Sequence, residues 1–159
     1  MIPSATSDNV DAYGASVSVC SQRFERFGGA VAFRGPIATV RCHEDNVLLK
    51  QMVSEPGLGR VLVVDGGGSM RVALAGDIVV GLAMENGWAG LVINGCVRDV
   101  AALRELAIGV KALGSTPLPS GKTGVGQIDV PVTFGGVTFV PGELLAGDDD
   151  GIVTMPMPA

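Results

Sequence analysis

An aspartate at position 77 and an adjacent Arg98-Asp99 pair are separated by twenty intervening residues, in a chain where charged residues make up only 17%. Two carboxylates and a guanidinium brought together make a charged cluster in which the planar guanidinium can grip an anion. They can act together only if the chain folds back between them. The segment GDIVVGLAMENGWAGLVINGCVRD predicts that return. A helix from Asp77 to Asn86 climbs about 15 Å at 1.5 Å per residue, and a strand from Gly90 to Gly95 runs back about 20 Å at 3.3 Å per residue. Asp77 and Arg98-Asp99 are therefore expected at one end of this unit, beside helix N-terminal amides that favour an anion. The same spacing also suits a structural ion pair that only solvates a strand end, contributing about 0–1 kcal/mol. Spacing alone leaves both readings open.

The elements that must position these residues follow from periodicity. GPIATVRC (Gly35 to Cys42) alternates like a strand, and DNVLLKQMVSEPG reads as a helix with Asp45 as its N-cap and Pro56-Gly57 as its stop. RVLVVDGGG is a buried strand closing in a glycine turn after Asp65, and the helix that starts at Asp77 has Gly87 at its C′ position. AGLVINGCV is the next strand, DVAALREL a short helix and GVKALG a further strand. IDVPVTFGGVTFVPG predicts a hairpin turning at Gly135-Gly136. Strands alternating with helices point to an α/β or α+β fold, rather than a bundle or a sandwich, within one domain, residues 1–159. PSGKTGVG, Pro119 to Gly126, is expected to be a mobile loop.

Composition narrows the function classes. The chain has 159 residues, about one domain's worth. Its net charge of −5 argues against direct nucleic-acid binding, which calls for clustered lysine and arginine. No apolar run reaches the roughly 18 residues of a membrane span, and MIPSATSDNV has neither a basic nor an apolar leader region. A soluble, cytoplasmic protein is expected. A mean hydropathy of +0.44 in so short a chain predicts apolar surface covered by other subunits. Cys20, Cys42 and Cys96 form no CxxC pair, which predicts reduced thiols, and the single histidine, His43, leaves no basis for histidine-based metal or triad chemistry.

Two glycine-rich stretches raise a nucleotide reading and fail it. In VVDGGGSMR, Arg71 occupies the place of the third glycine of a dinucleotide fingerprint. In SGKTG, a P-loop would require glycine at position 116, which is threonine. Both read as tight turns in which glycine supplies the backbone freedom.

The run from Gly76 to Asp99, together with QRFERFGGAVAFRGPIATVRCHEDN, VLVVDGGGSMRVALAGD, FGGVTFVPG and DDDGIV, resembles the RraA-like family over nearly the whole chain. That family contains 4-hydroxy-4-methyl-2-oxoglutarate aldolases and regulators of ribonuclease activity. The resemblance implies a swivelling β/β/α domain, assembled as a homotrimer or a hexamer, with a divalent metal in the subunit cleft. It implies that Asp99 is the metal ligand, for Mg²⁺ or Mn²⁺, and that Arg98 grips a 2-oxo acid substrate and opposes enolate charge. Gly76, Asp77, Ile78 and Val79 match the segment whose amides hold the substrate carboxylate, and Asp77 also matches the carboxylate that orients a metal-bound water. Retro-aldol cleavage and oxaloacetate decarboxylation share a pyruvate enolate, so one Lewis-acid site serves both.

Some family aldolases carry a longer C-terminal extension that lends a carboxylate to a neighbouring site, whereas this chain stops soon after DDDGIV. Asp148, Asp149 and Asp150 are a candidate replacement or, alternatively, a solvated acidic turn. Three other functions stand beside the lyase. One is a non-catalytic regulator that binds ribonuclease E, suited by an acidic surface. Another is a demethylmenaquinone methyltransferase, for which no glycine-rich S-adenosylmethionine loop is present. The last is a Schiff-base aldolase using Lys50, Lys111 or Lys122, none of which reads as lying in an apolar strand flanked by carboxylates.

Overall fold

The computed structural model describes residues 2–158. Helix α1 (Thr6–Tyr13) is followed by two short strands, β1 (Ser18–Val19) and β2 (Glu25–Arg26). The alternating run then forms β3 (Phe33–Arg41), two residues longer at its start than the predicted strand, and α2 (Val47–Val53) crosses to β4 (Val61–Asp65). Next come β5 (Ala73–Ala75), α3 (Asp77–Glu85), β6 (Gly90–Val97), α4 (Val100–Leu103) and β7 (Gly109–Ser115). The chain closes with β8 (Gln127–Ile128), the hairpin β9 (Val132–Phe134) and β10 (Val137–Phe139), and the pair β11 (Leu144–Asp148) and β12 (Gly151–Met155).

Strands β3, β4, β6 and β7 are parallel neighbours at the centre of the main sheet. The full order is β1-β12-β11-β3-β4-β6-β7-β2, with antiparallel strands at both edges, β5 added beside β6 and β8 added beside β3. Helices supply the crossovers that parallel strands require. All eight residues of β6 are buried, which explains why its sequence is almost continuously apolar rather than alternating.

The sheet buries both faces, and the period of two sorts the side chains between them. Leu62, Val64, Leu91, Ile93, Val110 and Ala112 pack on one side with Leu49, Val53, Val80, Ala83 and Leu103 of the helices. Val61, Val63 and Val92 face the other way, against Val132, Phe134, Val137 and Phe139 of the hairpin and Leu145 and Ile152 of the last strand pair. Each of the valine, leucine, isoleucine and phenylalanine side chains among them contributes about 1.5–3 kcal/mol when fully buried. The result is a helix layer, a sheet and a second β layer, the mixed α/β arrangement expected from the sequence.

Phe33 explains part of the glycine content. A Cβ on Gly109 would stand 2.1 Å from the Phe33 ring, one on Gly90 2.5 Å and one on Gly147 2.7 Å, so three glycines form the slot that receives it. The hairpin turns at Gly135 and Gly136 with φ of 60° and 75°, the left-handed pair that a two-residue turn needs.

Several boundaries differ from expectation. Asn46, not Asp45, precedes α2, and that helix ends at Val53. DVAALREL yields only the four-residue α4. The loop expected to be mobile, residues 119–126, is tied to the body by Asp45 and Asn46. The three cysteines are unpaired and buried. Among the described residues no helix is long and apolar enough to cross a membrane.

The acidic turn has structural partners. The Asp148 carboxylate accepts hydrogen bonds from Thr6 N at 2.9 Å and Thr6 Oγ1 at 2.7 Å, and Asp149 pairs with Arg26 at 3.0 Å. None of these three aspartates lines the cavity that holds Asp99.

Candidate functional site

Where β5 and β6 end side by side, the backbone amide of Arg98 donates to the Ala75 carbonyl at 3.0 Å. That bond sets Gly76, at the start of α3, against the Arg98-Asp99 pair. Asp99 adopts a left-handed conformation, φ 59° and ψ 43°, which reverses the chain into α4. Aspartate tolerates this geometry better than most residues, at a cost of order 1 kcal/mol. Its carboxylate is thereby directed back at α3, where Oδ2 accepts the Asp77 amide at 3.1 Å. Gly76 is required beneath it, because a Cβ there would lie 2.3 Å from Asp99 Oδ2.

The expected convergence of Asp77, Arg98 and Asp99 at one end of the unit is thus present. It is the Asp77 amide, rather than its carboxylate, that meets Asp99. The ion-pair alternative is not realised: among the described residues neither Arg98 nor Asp99 makes a salt bridge. The Arg98 guanidinium reaches only the Pro117 carbonyl, at 3.5 Å. Most of its five donors remain free for a ligand. The amides of Ile78 and Val79, in the first turn of α3, have no partner within the helix and sit at its positive end.

These groups line a cavity of about 480 Å³, within the range of small-molecule sites. Its wall also includes Asn46, Lys50, Pro119 and Lys122. Lys122 was considered from the sequence only as a Schiff-base candidate. Its Nζ donates to Asn46 Oδ1 at 2.6 Å and Ser120 Oγ at 3.4 Å, both neutral oxygens. Asn46 is itself held by the Leu74 carbonyl at 2.9 Å. Lys50, Arg98 and Lys122 therefore oppose Asp77 and Asp99 around one cavity, an electrostatic setting suited to a ligand with more than one negative charge.

Asp45 is the anchor that sequence reasoning missed. Buried, it accepts hydrogen bonds from Thr123 Oγ1 at 2.9 Å, Gly124 N at 3.1 Å, Val47 N at 3.2 Å and the Thr123 amide. Burial acts to raise its carboxyl pKa, but the Thr123, Val47 and Gly124 bonds outweigh it and hold the group below the usual aspartate value. Val47 is a local partner, but Thr123 and Gly124 lie nearly 80 positions downstream, so no local pattern discloses them.

Among the described residues, no group of three or more histidine, cysteine or acidic side chains is placed to hold a metal. Of the two carboxylates in the cavity, Asp99 has its Oδ2 oriented by a backbone amide and no cation paired to it among the described residues. That donor set fits a Mg²⁺-like ion that keeps most of its waters, and it does not fit a closed protein cage.

The fold and this cleft define a mixed α/β protein with a charge-lined pocket between the end of one parallel strand and the start of a helix. Its kin are identifiable. The family model RraA-like, described as Aldolase/RraA, matches residues 4–154, and the chain belongs to that family. A Geobacillus kaustophilus structure titled S-adenosylmethionine: 2-dimethylmenaquinone methyltransferase is similar at 44% identity and a TM-score of 0.93, over 97% of this chain and 96% of that one. The RNA-processing inhibitor RraA from Thermus thermophilis shares 43% identity with a TM-score of 0.95, over 99% and 95%. An unusual Streptomyces coelicolor member of the RNase ES inhibitor RraA family shares 31% identity with a TM-score of 0.76, over 94% and 77%. The family name joins aldolase to RraA, and the names of these relatives speak of inhibition and methyl transfer.

Proposed function

We propose that this chain is a divalent-metal-dependent carbon–carbon lyase acting on 2-oxo dicarboxylic acids. The proposed reaction is retro-aldol cleavage of 4-hydroxy-4-methyl-2-oxoglutarate with release of pyruvate, and decarboxylation of oxaloacetate is a side activity. The observation that carries the reading is the pair of unspent charges at the start of α3: an Asp99 carboxylate aimed by the Asp77 amide, and an Arg98 fork with no carboxylate partner among the described residues. A pure binding module has no need to hold both uncompensated in a cavity.

A bound Mg²⁺ or Mn²⁺, held by Asp99 and waters, would supply Lewis acidity. The chain's own groups do the rest. The amides of Ile78 and Val79 receive the C1 carboxylate at the helix start. Arg98 grips the 2-oxo group bidentately and opposes the negative charge that develops on its oxygen as the carbon–carbon bond breaks. Asp77, exposed beside them, accepts and returns the proton. Lys122 and Lys50 face the second carboxylate, the one that distinguishes a dicarboxylic substrate from a plain 2-oxo acid.

A methyltransferase reading lacks support in the cavity, whose glycine turn at residues 66–68 lies outside its lining. A regulator that binds ribonuclease E is the second reading, favoured by the similarity to the RNA-processing inhibitor and by the net charge of −5. The deciding assay is pyruvate release from both substrates with Mg²⁺ or Mn²⁺, with and without EDTA, alongside ribonuclease binding. Turnover lost in EDTA with the fold retained is expected. Tight ribonuclease binding with no pyruvate under any metal would reject the lyase in favour of the regulator.

A further inference from the structure

Lys111 sits on the face of the sheet opposite the helices. Its neighbours in β7, Val110 and Ala112, are fully buried against the helix layer, so the period of two sends Lys111 to the other side. The residue is only 4% exposed. Its Nζ donates to the backbone carbonyl of Asp148, and among the described residues no carboxylate stands within ion-pair distance of it. The neighbouring acids are engaged elsewhere: Asp148 holds Thr6, and Asp149 holds Arg26. This places a lysine in a buried strand beside carboxylates, contrary to the expectation from sequence.

Lys111 also lines a second cavity of about 270 Å³, together with Gln22, Arg23, Phe24, Asp149 and Asp150. None of these residues lines the Asp99 cavity. Burial pushes the Lys111 ammonium below the usual lysine pKa, against the pull of Asp149, Asp148 and Asp150, and nearby Arg26 adds to the lowering. Desolvation beside a second cation is the environment that turns a lysine into a nucleophile.

We propose that Lys111 is a reactive amine that condenses with a small carbonyl acid, an aldehyde or a 2-oxo acid, to form a Schiff base. The cavity is smaller than the roughly 300–1,000 Å³ typical of drug-sized ligands, which limits the partner to a few heavy atoms. Arg23, exposed and without an ion pair among the described residues, is the group placed to take its carboxylate. In the reaction the ammonium releases one proton to Asp150 or water, and the freed nitrogen pair forms a bond to the carbonyl carbon. A proton then returns to the resulting hydroxyl, which leaves as water as the carbon–nitrogen double bond forms. Ammonium plus carbonyl gives protonated imine plus water, with no change in oxidation state. The site is independent of the lyase reading, and its test does not require turnover.

The full chain is treated at neutral pH with glyoxylate and sodium cyanoborohydride, and the adducts are mapped by peptide mass spectrometry. Lys50, Lys111 and Lys122 are the only lysines, so the comparison is internal. Carboxymethylation of Lys111 at least about tenfold faster than that of Lys50, although Lys50 is exposed, is expected; the ratio corresponds to 1.4 kcal/mol. Lys111→Arg keeps the charge and a donor for the Asp148 carbonyl but cannot form the adduct. It should lose this label alone, with an unchanged circular dichroism spectrum. Arg26→Gln should move the pH profile of Lys111 labelling upward. Label that follows exposure, with Lys111 no faster than Lys50 in the wild type, overturns the proposal.

Discussion

At the scale of single residues, the proposed chemistry turns on Arg98 and Asp99, which make no salt bridge among the described residues. Arg98→Lys retains a positive charge but loses the planar fork, and kcat/KM for oxaloacetate should fall at least about tenfold, or 1.4 kcal/mol, in steady-state kinetics. Wild-type kinetics in that variant would reduce Arg98 to a surface charge. Asp99→Asn keeps the size and an oxygen for the Asp77 amide while removing the anion a metal needs. Pyruvate release should vanish in this variant, whereas circular dichroism and any ribonuclease binding stay at the wild-type level. Loss of both functions together would place Asp99 in a common structural role. Cys42 shows the opposite treatment of a reactive group. Burial, with Asp45 and Asp65 nearby, pushes its thiol up to about 12, so at pH 8 it is almost wholly protonated. Iodoacetamide should leave Cys42 unmodified in the native protein and alkylate it in denaturant; rapid native labelling would show that the site opens.

At the scale of elements, one buried aspartate fastens residues 120–124 to the start of α2 and so places Lys122 at the cavity. Because the folded pKa of Asp45 lies below its unfolded value, the latch contributes fully above the ordinary carboxylate range. That contribution is lost as pH falls through the lowered value. Amide hydrogen exchange at Thr123 and Gly124 should therefore be protected at neutral pH and lose protection only in strong acid. Asp45→Ala removes four accepted bonds, and exchange at these amides should accelerate on the order of tenfold or more at neutral pH. Unchanged exchange would mean that other contacts hold the loop.

At the scale of the whole molecule, both faces of the sheet are covered, yet apolar side chains remain on the surface near the cavity. Ile78 in its wall is 72% exposed, and Leu118 and Val125, beside Pro119 and on the latched loop, are also exposed. Water is a poor neighbour for such a rim. We expect self-association into a trimer or hexamer that covers it, measurable as multi-angle light scattering mass at micromolar concentration. A monomer mass would contradict the expectation and leave the cavity complete within one chain.

The alternation of apolar residues, the helix after Gly76, the hairpin at Gly135-Gly136 and the return from Asp77 to Arg98-Asp99 were legible in the sequence. They rest on short-range periodicity and turn chemistry. The convergence was read correctly because one helix and one strand account for the whole path between the two ends. Other features depended on contacts between distant segments. The grip of Asp45 on Thr123, the glycine slot around Phe33 and the burial of Lys111 against the β11–β12 turn join residues far apart in the chain. An aspartate before a helix looks like a cap, and a lysine between a valine and an alanine in β7 looks like any strand residue. Only the packing of sheet, helices and loop against one another decides which of them is anchored, desolvated or left with an unspent charge.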